Sequence, residues 1–193
     1  MNVEVKDERT TLRAEAEECA GEATTNIDLR TTNVGLVIVR DVRLLFVAIW
    51  LGAAVCFSFA VAPSAFAVLP THELAGNLVT RTLGIVNVAG FIISLLLLAG
   101  AFIGRSTTSR RAWLLEVIAL AFVALTTFVG HWLINARLLA LRHSLGRPID
   151  DVAVNDPVRV AFNNLHGYSV AALGFGMLAG ALALLVIARR RVQ

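Results

Sequence analysis

The sequence predicts an all-α fold, a polytopic membrane bundle of four helices, and three observations carry that prediction. Four apolar runs, about residues 44–69, 83–104, 112–136 and 168–188, divide the chain, and no charge interrupts their central stretches. Each has close to the ~20 helical residues that cross a hydrocarbon core about 30 Å thick. The chain is 57% hydrophobic, with a mean hydropathy of +0.74, whereas soluble domains sit near ~45–50% apolar. The runs are also apolar on every side, without the polar stripe that a soluble helix keeps towards water.

Length alone, 193 residues, admits one or two soluble domains. Four spans use about half of it. The predicted organisation is therefore one transmembrane domain, residues 36–193, behind a polar tail, residues 1–35. That tail is rich in Glu and Thr and nearly free of large apolar groups, so it buries too little surface to offset the entropy of ordering and is expected to be disordered. Its one candidate element is a short helix over 11–20. The first 30 residues hold no apolar stretch of the signal-peptide kind, so the first span is expected to act as an uncleaved insertion signal.

The elements follow in order. Span one, 42–69, starts beside Arg40, Asp41 and Arg43 and meets Pro63, which has no N–H to donate and is expected to kink or end the helix. Pro70 and Thr71 break the chain. Thr71 as N-cap and Glu73 in the first turn then start span two, 73–104. A short basic loop, 105–111, leads to span three, 112–139. Its Trp113 and Trp132 are 19 residues apart, about 28 Å of helix, which suits one tryptophan at each membrane interface. Residues 136–145 keep a helical pattern with Arg137, Arg142 and His143 among leucines, and either extend span three or lie along the surface. Gly146 and Pro148 stop that helix. Asp150, Asp151 and Asp156 mark a loop, and span four, 159–188, ends at Arg189, Arg190 and Arg191.

Charge sets the orientation. Arg40, Arg43, Arg105, Arg110, Arg111, Arg189, Arg190 and Arg191 flank one side, and Arg81, Arg137, Arg142, Arg147 and Arg159 the other, eight against five. The positive-inside rule then predicts both termini cytoplasmic, in the cell membrane. The net charge of +3 comes from arginines at span ends, not from a basic patch interleaved with aromatics, so the partner is the lipid bilayer and not nucleic acid.

This threading gathers polar side chains at the non-cytoplasmic end. His131 and, one turn on, Asn135 come from span three, Arg81 and Asn87 from span two, and Asn163, Asn164, His166, Tyr168 and Ser169 from span four. Amides and imidazoles at membrane depth tend to face the bundle interior. The expectation is a pocket walled by spans two, three and four and lined by His131, Asn135, Asn163 and His166, with Asn87 and Arg81 nearby. The plainer alternative is interfacial residues satisfied by water and headgroups. Glu116 is expected to pair with Arg110, Arg111 or another helix end rather than to carry protons. His131 and His166, on facing spans, are the candidate ligands for a haem or copper ion, but no Cys or Met completes a set, and no cofactor is predicted. Cys19 in the tail and Cys56 in span one have neither metal spacing nor a mutual disulfide.

Small residues recur every four positions, Ala172, Gly176 and Gly180 in span four and Gly52, Cys56 and Ala60 in span one. Such stripes let backbones approach closely, so helix packing or a homo-oligomer contact is expected there. No nucleophile elbow, P-loop, zinc-protease or nucleotide motif occurs in a usable context, and no reaction is assigned.

Trp50-Leu51-Gly52, Phe57, Val61-Ala62-Pro63, Phe66 and Ala75-Gly76, followed by Phe162-Asn163-Asn164-Leu165-His166-Gly167-Tyr168-Ser169, resemble the family of small four-span membrane proteins that includes transmembrane protein 205. The resemblance covers about residues 40–190. It implies a four-helix membrane fold and no known reaction. The Trp-x-Gly opening of span one is also similar to copper-resistance membrane proteins and haem-pathway protoporphyrinogen oxidases, in which span histidines carry the chemistry; span one of this chain has none. Three functions stay open: binding, moving or sensing a small solute through the polar pocket, haem- or copper-linked redox chemistry at His131 and His166, and a structural or assembly subunit.

Overall fold

The computed structural model describes residues 34–103, 109–145 and 149–189. The tail up to residue 33, its 11–20 helix, most of the basic loop and the Gly146–Pro148 stop lie outside the described residues. Four long helices follow one another: α1 Val34–Val68, α2 His72–Ile103, α3 Arg110–Ser144 and α4 Pro157–Ala188. All four are long and apolar enough to cross a membrane, and among the described residues there is no strand. Ile49, Leu96, Ile118 and Leu178 stand largely exposed around the outside. Water-soluble monomers do not present so continuous an apolar surface, which suits a lipid surrounding. The protein is a multi-pass helical membrane protein.

Local chemistry explains the helix limits. Thr71 Oγ1 accepts from the N–H of Leu74 at 3.2 Å, and Glu73 sits in the first turn of α2. Ser109 Oγ accepts from Ala112 N–H at the head of α3. Asp156 caps α4 through Val158 N–H at 2.8 Å, with Pro157 at the first helical position, where a missing N–H costs nothing. Helix α3 does not stop near 139. It runs on to Ser144, so residues 136–144 extend the span instead of lying apart from it. Nor does Pro63 end α1. A π-helical turn, Phe57–Val61, precedes the proline, and regular helix continues to Val68; the wider turn accommodates the hydrogen bond that Pro63 cannot make. A second π-helical turn, Val129–Asn135, interrupts α3.

Residues 34–42 are the described part of a separate unit; they are helical, with Arg40 Nη2 2.8 Å from Asp41 Oδ1. From Arg43 onward the helices alternate in direction and pack as one body. At one end, Val47 from early α1 packs with Leu97 from late α2, Leu120 from early α3 and Ile187 from late α4. At the other, Ala65 meets Ala75 and Val79, and Ile134 and Leu138 meet Phe162.

Trp50 fills the middle of the bundle. It is buried and its Nε1–H donates to Val86 O at 3.0 Å. Glycines make room for it: a Cβ at Gly90 would collide with the indole nitrogen, and one at Gly180 would lie 2.8 Å from the ring. At Gly176 a Cβ would lie 2.9 Å from Thr126 Oγ1. Gly176 and Gly180 thus serve as seats for α1 and α3 side chains. Gly52 corrects the expectation of a matching stripe inside the chain. It is exposed, with nothing within 4 Å of a Cβ, and Cys56 and Ala60 are exposed too, so this stripe points away from the other helices.

Two further findings concern span three, the first at Trp113. It is buried, donates to Ala101 O at 2.9 Å and meets Phe102 edge-on, which fastens α3 to α2. Trp132 is exposed and stacks on Phe128 with ring centroids 5.1 Å apart. Of the partners expected for Glu116, the structure shows another helix end: it pairs with Arg43, at the start of the first predicted span. Glu116 is 0% exposed and Arg43 7%. The same Arg43 Nη2 donates to Leu97 O of α2 at 3.0 Å, so one guanidinium ties three helices together inside the bundle.

Candidate functional site

Two recesses open at the end of the bundle away from the Arg43–Glu116 pair. The first is a groove of about 680 Å³ between α2 and α3. Asn77, Arg81, Gly84, Ile85, Val88 and Ile92 contribute from one face of α2, at the three- and four-residue spacing of neighbours on a helix. Thr80 and Ala89 complete that wall, and His131, Asn135 and Leu139 form the other. The groove is graded. Asn77, Thr80, Arg81 and Asn135 cluster at its outer end, and Ile85, Val88, Ala89 and Ile92 line its deeper end, over about 22 Å of helix.

His131 and Asn135 reach this wall from the π-helical turn of α3. The His131 ring packs over Gly84 of α2, where a Cβ would be in ordinary contact, 3.5 Å from Cε1. His131 Nδ1 is buried and has no hydrogen-bond partner among the described residues, and the ring stands edge-on to Trp132 at 4.6 Å.

The second recess, about 280 Å³, lies where the end of α1 meets α2, α3 and α4. Arg142, Arg159, His72, His166 and Asn163 supply its polar wall, and Phe66, Val79, Leu138, Ile149 and Phe162 its apolar one. Arg142 is partly buried at its centre. Its Nη1 donates to Asn77 Oδ1 at 2.7 Å, and its guanidinium lies 5.2 Å from the centroid of the Phe162 ring. Gly76 seats its other nitrogen, for a Cβ there would be 2.7 Å from Nη2. Arg159 Nη1 donates to Val152 O at 2.6 Å.

The single pocket expected from the sequence is therefore divided. Arg81, His131 and Asn135 line the groove, while Asn163 and His166 line the second recess. The two share Thr80, and the Asn77–Arg142 hydrogen bond stands between them. Asn87 belongs to neither. It is buried between α2 and the π turn, where a Cβ on Gly130 would lie 3.0 Å from its Nδ2. His131 and His166 do not share a recess, and among the described residues no three of His, Cys, Asp and Glu are grouped as ligands for one metal ion. Sequence reasoning missed Arg142, with its seat at Gly76 and its neighbour Phe162. A signal existed: His131, Asn135, Leu138 and Arg142 follow helical spacing, so the polar face of α3 continues one turn past its apolar run.

A family model described as a domain of unknown function, DUF4149, matches residues 45–146. The match takes in the whole groove and Arg142, and stops before α4. No curated protein and no solved structure matches the chain.

Proposed function

The chain belongs to the DUF4149 family of unknown function, and from that premise we propose that it binds an amphiphilic molecule, entering from the bilayer, in the groove between α2 and α3. The polarity gradient carries this reading. A polar head suits Asn77, Arg81, Asn135 and His131, and an acyl chain suits Ile85, Val88, Ala89 and Ile92. Ile85 is 67% exposed, so the apolar half is open sideways to lipid. Ligand sites between the helices of a bundle commonly join an apolar wall to a few polar groups in this way. The small-solute pocket read from the sequence thereby becomes a lateral, lipid-accessible one. Neither a haem nor a copper ion is supported by histidines in separate recesses.

The arginine pattern supports placing the polar mouth on the non-cytoplasmic side of the cell membrane, with both termini cytoplasmic. Arg43 and Arg142 are drawn into the bundle and drop out of the comparison. The remaining flanks still favour the terminal side, seven arginines against four.

Photolabelling tests the groove. The full chain in neutral detergent is irradiated with palmitic acid bearing a diazirine on its chain. Saturable labelling of the α2 and α3 groove residues is expected. Excess palmitic acid competes with it, and Ala89→Trp, which fills the groove, reduces it several-fold. Labelling spread evenly over the exposed faces of α1 and α4, uncompeted and unchanged by Ala89→Trp, would overturn the proposal.

A further inference from the structure

We infer that the second recess is an oxyanion site, in which Arg142 binds a phosphate or carboxylate group. Two guanidiniums and two imidazoles line this one cavity, and among the described residues no carboxylate does. Among the described residues, Arg142 is held by neutral partners: the amide of Asn77, the ring face of Phe162 and the bare backbone of Gly76. Among the described residues no carboxylate forms a salt bridge with it. The acidic group whose field reaches it is Glu73, exposed on the first turn of α2.

A guanidinium partly withdrawn from water without an ion pair is a costly arrangement unless something compensates it. The contacts on Arg142 fix its position, and none of them carries a negative charge. Stacking on Phe162 and the hydrogen bond to Asn77 hold the planar donor fork in one orientation, and such a preset fork suits the oxygens of a phosphate or carboxylate. About 280 Å³ accommodates one such group with its water, and Asn163 can add a neutral donor. The site is independent of the groove reading, since it needs no acyl chain and uses residues from α4 that the groove does not.

The source of the oxyanion, a lipid headgroup or a free anion, is separated by the probes. Binding to the full chain in neutral detergent is titrated with inorganic phosphate, with dihexanoyl phosphatidic acid and with uncharged dihexanoylglycerol. Saturable binding of phosphate or phosphatidic acid, but not of dihexanoylglycerol, is expected. Tighter binding of phosphatidic acid assigns the site to a headgroup, and equal binding assigns it to a free anion. Losing the charge-assisted contact in Arg142→Gln should weaken binding about tenfold or more. Exposed Arg137, which lines neither recess, controls for bulk charge, and Arg137→Gln should bind as the wild type does. Asn163→Asp, at an exposed position, keeps the fold and supplies the recess with its own carboxylate, so it should abolish binding even if Arg142→Gln proves unstable. Absence of saturable binding, or equal binding by wild type and Asn163→Asp, would overturn the inference.

Discussion

Arg43 and Glu116 show how a single pair of side chains can organise a bundle in which lipid gives helices no hydrophobic reason to associate. Each charge alone would be expensive at that depth. Together, with Leu97 O accepting a further N–H, they clamp α1, α2 and α3. Glu116→Leu strands the arginine, and the expected loss is about 3–5 kcal/mol, read as a fall in the thermal midpoint of tryptophan fluorescence in detergent. The double variant Arg43→Met with Glu116→Leu should recover most of that loss. A Glu116→Leu protein that melts with the wild type would refute the clamp. Both charges were visible in the sequence, and the partners expected for Glu116 included another helix end, which is where Arg43 sits. The partners are 73 positions apart. Alternation of spans brings the starts of the first and third to the same end, so the pairing was implicit in the threading itself. Arg142 was missed because it lies beyond the last apolar residue of the predicted span, and only the continuation of α3 past its π-helical turn to Ser144 carries it back onto α2.

Between helices, what matters is which small residues have something to receive. The four-residue spacing is the same in α1 and α4, yet Gly180 seats Trp50 while nothing approaches Gly52. Spacing reveals that a close approach is possible, and only the position of a bulky partner decides whether it is used. Gly180→Leu should therefore destabilise the bundle by about 1–3 kcal/mol or more through overpacking, whereas Gly52→Leu should change the melting midpoint of the detergent-solubilised chain by no more than about 0.5 kcal/mol equivalent. Equal effects at the two positions would show that Trp50 is not seated as described. The π-helical turns were least accessible to sequence reasoning. Pro63 supplies a reason for the one at Phe57–Val61, but nothing local marks Val129–Asn135. That second turn aims His131 and Asn135 at α2, away from the α4 residues expected to join them. It is one physical cause of the divided site.

For the molecule as a whole, the two ends differ in kind. One is closed by packed apolar groups around a buried ion pair; the other is opened by a graded groove and a cationic recess. The all-helical, four-span character was legible from hydropathy alone, because covering a bilayer imposes length and apolarity on each segment. That polar residues of α2, α3 and α4 collect towards one end of the bundle was legible too, since it follows from alternation. How they divide around the helix axes was not, because a one-residue change of turn rotates every side chain beyond it. The account depends on α3 carrying its two ends to opposite membrane faces, with the recesses on the non-cytoplasmic one. Single cysteines at Ser109 and at Val154, which is exposed beyond α3, in a chain carrying Cys19→Ser and Cys56→Ser, test this directly with a membrane-impermeant maleimide on intact cells. The account predicts labelling at position 154 from outside and at position 109 only after permeabilisation. Labelling of both from the same side, or of 109 alone from outside, would contradict it.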